Sequence, residues 1–394
     1  MQIQKVETLV HEDFPNLIHV EITTDTGITG LGESYYFGAT VAHFIQSFAG
    51  PSIIGLDPLN REEISRRLTT YVGHNSSGIE VRAKSAIDIA LWDIAAKSEN
   101  KPLYQFLGGK EKRKLRIYNT CAGRMYMRKS NQSSSSWGLD SSDTEYEDLK
   151  AFMETPAELA RNLMSEGITA MKIWPFDTFA EKNWGAEISD EDLNEGISVL
   201  RKIREAAPEI DIMVELHALW SPEAALKIIT ALLPYKVFWV EDPIYPDLID
   251  ELHLLRKPSF PKIAHGETIA SLNRVQNLAA KKLIDVLTLD IGWCGGITQA
   301  LKFAEVARQH GIAIAPHDCT GPVGLTVGAH LSTADSNAIV QETVRSSYRT
   351  WYPHIATGLP TIEGPHLEVS NNPGLGLSLT KEFRESSGMQ RIVI

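Results

Sequence analysis

Apolar and polar positions alternate with a period of two near the start of the chain, in IQKVETLV and LIHVEITT, ahead of the turn Asp25-Thr26-Gly27. That pattern predicts short strands over residues 1–30. Helices are predicted over 58–72 and 80–97. In the second, Val81, Ala86, Ile87, Ala90, Leu91, Ile94 and Ala95 recur at helical spacing. Residues 1–115 therefore read as a small α+β unit. From Leu115 the pattern changes to short apolar runs: LRIYNT, AMKIW, IDIMVEL, VFWVED, KIAHGE, DVLTLD, AIAPHD and AIVQET. Helical segments such as 191–206, 222–233 and 298–310 separate them. Strand–helix alternation predicts a parallel sheet, and eight such strands predict an α/β barrel of the TIM type over 116–364. Residues 365–394, with the turns Asn372-Pro373-Gly374 and Leu375-Gly376-Leu377, break this rhythm and are expected to return to the first unit.

One stretch fits neither period. Residues 129–148, KSNQSSSSWGLDSSDTEYED, are rich in serine and acid and follow the first barrel strand. The segment reads as a surface insertion or as a lid over the barrel mouth, since loops after strands sit on the functional face.

Composition narrows the functional classes. The net charge is −12, with 38 basic against 50 acidic residues. Nucleic-acid and anionic-membrane binding both need a positive field, so neither is expected. An anionic small substrate stays open, because a metal or a few lysines can reverse the sign inside a pocket. Cys121, Cys294 and Cys319 are too few and too scattered for a disulfide framework or a zinc motif. No apolar run approaches a membrane span, and MQIQKVETLV lacks a signal-peptide core. A cytoplasmic enzyme is expected.

The end of each predicted barrel strand carries a polar residue: Lys172, Glu215 with His217, Glu241, Glu267, Asp290, His317 and Glu342. From Glu215 onward they are spaced by 26, 26, 23, 27 and 25 residues, about one strand–helix unit per step. Such residues converge on the mouth of a barrel, where active sites of this fold lie. Three glutamates there, Glu215, Glu241 and Glu267, would repel one another and raise each other's pKa. A divalent cation removes the conflict, and hard oxygen ligands select magnesium or manganese over zinc. Asp290 and His317 end adjacent strands, and a carboxylate behind an imidazole makes a general base.

At these residues the sequence resembles the enolase superfamily, in its mandelate racemase and muconate lactonizing enzyme branch. The run from Ala83 to Asp93, AKSAIDIALWD, resembles the branch's helical signature in the capping domain. Glu215-Leu216-His217, the helix 222–233 and Val240-Glu241-Asp242-Pro243 resemble a second signature. The resemblance covers nearly the whole chain. It implies a modified (β/α)7β barrel closed by an N-terminal α+β capping domain that the C-terminal segment completes. It also implies abstraction of a proton next to a carboxylate, giving a magnesium-stabilised enediolate. By the same resemblance Glu215, Glu241 and Glu267 are metal ligands, and His317 with Asp290 is the base. Glu342 is the acid that hydrogen-bonds substrate, and a homo-oligomer is expected.

Two departures matter. Glu215 stands where the branch usually has aspartate. Members with a second base often carry Lys-x-Lys on the second barrel strand; here the run is Lys172-Ile173-Trp174. Lys172 can still neutralise a substrate carboxylate, but a lysine base opposite His317 is missing. Glu215-Leu216-His217 instead resembles the Asp-x-His of galactonate and mannonate dehydratases, where the histidine protonates a departing hydroxyl. The alternative is that His217 merely orients Glu215.

The expected reaction is therefore dehydration of a sugar acid to a 2-keto-3-deoxy acid. An epimerase, racemase or lactone cycloisomerase of the same branch is the alternative. A metal-dependent hydrolase would need His-x-His on the first barrel strand, where Tyr118-Asn119-Thr120 stands. Expected substrate contacts are Lys172, Trp174, His217, Glu342, Tyr118 and His74. Further candidates are His11, His19, Tyr71 and Asn75 on capping loops, and Asn119, Asp177, Trp220 and His265 near strand ends.

Overall fold

The computed structural model describes residues 1–69, 78–126, 134, 137–139 and 145–394. Strands β1 (Ile3–His11), β2 (Leu17–Thr24) and β3 (Thr29–Tyr35) form an antiparallel meander, and the helix Ile79–Ser98 lies against β3. Two glycines make that approach possible. A Cβ on Gly32 would stand 1.8 Å from the Ala86 carbonyl oxygen, and one on Gly30 would stand 2.0 Å from that of Ala90. The other predicted helix of this unit runs Arg61–Leu68, shorter than the apolar pattern suggests. Its start is set by Asn60, whose side chain accepts a hydrogen bond from the Glu63 amide at 3.3 Å.

Eight parallel strands follow: β4 (Leu115–Thr120), β5 (Ala170–Ile173), β6 (Asp211–Glu215), β7 (Trp239–Glu241), β8 (Lys262–His265), β9 (Val286–Leu287), β10 (Ala313–Ile314) and β11 (Gln341–Thr343). Each pairs with the next through β10. A parallel bridge from Ile314 to Ala338 leads to β11, and β11 pairs with β4 to close the ring. Helices connect successive strands, so the barrel is the (β/α)7β form. Its interior takes one side chain from each strand or its immediate flank: Tyr118, Ala170, Met213, Trp239, Ala264, Val286, Ala315 and Val340. This alternation of inward and outward residues follows from the strand period of two.

The chain after the barrel forms β12 (Ala356–Thr357), β13 (Thr361–Glu363), β14 (His366–Glu368), β15 (Ser378–Leu379) and β16 (Met389–Val393). β16 pairs antiparallel with β1, so the C-terminus completes the first sheet. Buried polar side chains weld the two units. Asp88, on the long helix, accepts from the Thr298 amide at 2.9 Å and from the Thr298 hydroxyl at 2.6 Å. Glu33, on β3, accepts from the amides of Val323 and Gly324 at the start of the barrel helix Pro322–Ala334. A carboxylate suits that helix N-terminus, whose amides lack partners in the helix. These welds hold the long helix and β3 at the barrel mouth, above the strand ends. Among the described residues, no helix is long and apolar enough to cross a membrane.

Candidate active site

Three carboxylates meet at the ends of β6, β7 and β8. Ligand oxygens of Glu215, Glu241 and Glu267 all lie within 4.8 Å of one another, and all three residues are buried. The parallel register explains the convergence: Glu215 pairs directly with Glu241, and Glu241 with Ala264, which lies three residues before Glu267. Glu215 Oε1 accepts from the amides of Leu216 and His217 at 3.0 and 2.7 Å, whereas Oε2 has no hydrogen-bond donor among the described residues. Glu241 Oε2 accepts from the Trp239 indole at 2.9 Å. Burial raises the Glu241 carboxyl well above the usual range, and Glu215, Glu342 and Glu267 push it the same way against Lys172. Burial likewise lifts Glu267 to about 7. Three buried, mutually repelling hard oxygen donors, one without a donor of its own, fit an oxygen-ligated divalent cation.

Lys172, at the end of β5, is the ammonium of this cluster. Its Nζ lies 3.0 Å from Glu342, 3.2 Å from Glu241 and 3.6 Å from Glu215. Burial alone would lower its pKa, but Glu241 and Glu342 hold it well above the ordinary value. Glu342 also accepts from the Thr120 hydroxyl and, at 2.8 Å, from the Asp318 amide. Burial works against its charge, yet Lys172 and His317 keep it below the usual carboxylate value.

Two imidazoles face this cluster, each backed by a carboxylate. His317 Nδ1 is 2.8 Å from Asp290, and its Nε2 is 3.3 Å from Glu267. His217 Nδ1 is 2.6 Å from Asp177. His317 follows the seventh strand of the ring and His217 the third, so they stand half a barrel apart. Burial disfavours charge on both rings. Asp177 and Glu215 nonetheless hold His217 up to about 10, and Glu267 with Glu342 holds His317 well above 6.5. His217 and the following Ala218 have φ of 48° and 54°. Such left-handed backbone at non-glycine residues is strained, and strain of this kind concentrates at functional sites.

Lys172, Trp174, Asp177, His217, Glu267, His317 and Glu342 all line one cavity of about 800 Å³. The Trp174 ring meets His217 edge-on at 5.9 Å. Several of the other candidates lie elsewhere. Tyr118 is fully buried inside the barrel, its ring edge-on to Trp239 at 5.5 Å, so it supports the floor under Lys172 and does not line the cavity. The reason is the strand period: Thr120, two residues on, reaches the mouth. His11 stacks on Phe383 at 5.4 Å, and His19 pairs with Glu33 at 3.1 Å; both lie within strands and outside the cavity lining. His265 is buried against Asp242, and Asn119 donates to Asp148. Trp220 is buried and absent from the cavity wall. Tyr71, His74 and Asn75 lie outside the described residues, as does most of 129–148.

The pattern reading missed Tyr36, Arg82 and Trp293. Arg82 stands at the start of the long helix, donates to the Tyr35 carbonyl at 2.5 Å and lies over the Trp293 ring at 4.5 Å. All three line the cavity, Tyr36 and Arg82 from the capping unit and Trp293 from the loop after β9. No local motif marks them, because their placement depends on how the two units dock.

Eight parallel strands under an α+β cap, with an acidic triad, a lysine and two imidazoles at the strand ends, define an enzyme of the enolase type. Residues 7–108 match the mandelate racemase/muconate lactonizing enzyme N-terminal domain, and residues 155–383 match the enolase C-terminal domain-like family. The chain belongs to the enolase superfamily, in its mandelate racemase/muconate lactonizing enzyme branch. It is 25% identical over 383 residues to a D-xylonate dehydratase of Haloferax volcanii, covering 96% of this chain and 87% of that protein. It is 27% identical over 387 residues to a D-galactonate dehydratase family member of Musicola paradisiaca, covering 92% and 88%. Among solved structures, an enolase of the mandelate racemase subgroup from Agrobacterium tumefaciens superposes with a TM-score of 0.88 at 38% identity, covering 100% of this chain and 99% of that one.

Proposed function

We propose that the protein dehydrates a sugar acid to a 2-keto-3-deoxy acid with magnesium bound by Glu215, Glu241 and Glu267. The observation that carries the reading is the pair of carboxylate-backed imidazoles, His317–Asp290 and His217–Asp177, on opposite sides of a cavity whose second-lysine position holds Trp174. A divalent cation, with manganese as the substitute, would bind the substrate carboxylate and offset the charge that grows on it when the α-proton leaves. Lys172 adds a fixed positive charge at the same carboxylate. With a cation offsetting the charge of Glu267, which otherwise holds the ring protonated, His317 would take the α-proton at Nε2, the nitrogen not bonded to Asp290. The enediolate electrons then form the carbon–carbon double bond as the β-carbon–oxygen bond breaks. His217 gives its Nε2 proton to the departing hydroxide, which leaves as water. The enol tautomerises to the ketone, so substrate and product differ by one water.

One observation favours a second reading within the same branch. Because the two imidazoles stand across the cavity, His217 could return a proton to the face opposite His317 and invert the α-carbon. The relatives' names support dehydration and suggest D-xylonate and D-galactonate as first substrates. The test is a library of sugar acids incubated with magnesium, with 2-keto-3-deoxy products read by mass and by carbonyl derivatisation. Dehydration predicts a product one water lighter. A product of unchanged mass with solvent deuterium at the α-carbon would replace dehydration by epimerisation.

A further inference from the structure

We infer that Asp177 is a positioning residue for His217: its carboxylate holds Nδ1–H and so presents Nε2, the proton-delivering nitrogen, to the cavity. The inference deepens the proposed dehydration and rests on it for the chemical role of His217, but its geometry stands apart from that reading.

Asp177 opens a four-residue helical turn, Asp177–Ala180, five residues after Lys172 on the loop that follows β5. His217 follows the neighbouring strand β6. The two side chains thus come from adjacent strand ends, 40 residues apart in sequence, and meet at 2.6 Å. Asp177 is 5% exposed; its Oδ2 bonds the His217 ring, while Oδ1 is buried and without a hydrogen-bond partner among the described residues. A buried carboxylate devoted to one ring nitrogen is costly unless the ring's orientation has a use.

The ring needs such a partner. His217 has left-handed backbone, and the ring that packs against it among the described residues is the edge-on Trp174 indole at 5.9 Å, which cannot accept a ring proton. Without Asp177 the imidazole can rotate about χ2 and offer the wrong nitrogen. The same logic governs Asp290 and His317 at 2.8 Å, so the cavity carries two imidazoles oriented alike by two carboxylates. During dehydration the bonds change as set out above: Nε2–H breaks, the proton joins the departing hydroxide, and Asp177 keeps Nδ1–H throughout. No other reactant is required.

The test uses the full-length protein with magnesium, labelled with 15N in histidine. The His217 ring signals are assigned by their loss in His217→Asn. In the wild type the Nδ1 signal should carry a downfield proton typical of a charge-assisted hydrogen bond. Asp177→Ala should remove that proton and shift the ring nitrogens, while the signals of His317 stay in place. Unchanged His217 signals in Asp177→Ala overturn the inference whatever the enzyme's reaction proves to be. The kinetic arm uses D-xylonate, D-galactonate and whichever sugar acid the library shows to be dehydrated. Asp177→Ala and the isosteric Asp177→Asn should lower kcat for dehydration by about 100- to 10,000-fold, as loss of a general acid does, with KM changed far less. α-Proton exchange into deuterated water should persist in both, because His317 is untouched, and it shows that the variants fold. Asp177→Glu should recover part of the rate. A wild-type kcat in Asp177→Asn and Asp177→Ala, or loss of exchange together with dehydration, overturns the positioning role. Failure of the wild type to dehydrate any acid refutes the proposed function and leaves the spectroscopic arm to decide this one.

Discussion

His330 supplies a pH dependence whose size can be worked from the structure. It lies on the barrel helix Pro322–Ala334, fully buried, with its ring stacked on Tyr104 at 6.1 Å. Its Nδ1 accepts a hydrogen bond from the Tyr104 amide at 3.1 Å, and Nε2 donates to the Leu375 carbonyl at 3.2 Å. The neutral ring with its proton on Nε2 satisfies both partners. A second proton would sit on Nδ1 and face the Tyr104 N–H, donor against donor. Burial accordingly lowers its pKa from 6.5 to about 4, with the bond to the Leu375 carbonyl opposing. A depressed histidine contributes stability that is fully present above its unfolded value and is lost as pH falls from about 6.5 toward about 4. A shift of this size corresponds to roughly 3 kcal/mol in full, of which about 2 kcal/mol is lost by about pH 5. His330→Gln removes the titration. It should cost about 1–3 kcal/mol near neutral pH, through the hydrogen bonds it cannot reproduce. Urea unfolding of both proteins, followed by tryptophan fluorescence, measures the gap between them. The gap should narrow by about 2 kcal/mol between about pH 7.5 and about pH 5. A gap that stays constant within about 0.5 kcal/mol would refute the reasoning, since other titrating groups cancel in the comparison.

Glu241→Gln and Glu267→Gln should weaken magnesium binding at least tenfold by calorimetry and abolish turnover without unfolding the chain; full activity after chelation of the wild type would sink the metal assignment. His317→Asn should eliminate both α-deuterium exchange and product, whereas His217→Asn should slow dehydration by about 100-fold or more while exchange remains measurable by NMR. Equal loss of exchange in both variants would contradict the division of labour. Gly32→Ala drives a Cβ into the Ala86 carbonyl, so it should lower stability by about 3 kcal/mol or abolish folding of the capping unit, read by thermal melting; a melting temperature like the wild type's would contradict the packing described for that helix.

The barrel was legible because each of its strands is a short apolar run followed by one polar residue, and the repeat length is that of one strand and one helix. The acidic triad and the His317–Asp290 pair were legible for the same reason, since residues one repeat apart must end neighbouring strands. Asp290 and His317 lie three residues past strands of only two residues, Val286–Leu287 and Ala313–Ile314, yet they still meet, because the paired backbone continues in register to Ala315 and His317. The capping loops were harder. His11 and His19 stand near a chain reversal, but they belong to the strands themselves, whose pairing turns them toward Phe383 and Glu33.

What the sequence determined by itself is periodicity and chemistry: period-two runs, helical stripes, the spacing of carboxylates and imidazoles, and the replacement of a second lysine by Trp174. These are local properties, written in neighbouring residues. The tertiary structure alone decided which distant groups touch. It put Asp177 behind His217, sent Tyr118 into the barrel floor while Thr120 reached Glu342, and set Arg82 over Trp293 at the cavity rim. Each depends on the docking of separate strands or of the two units, where a change of one residue in strand register moves a side chain from the mouth to the outer face.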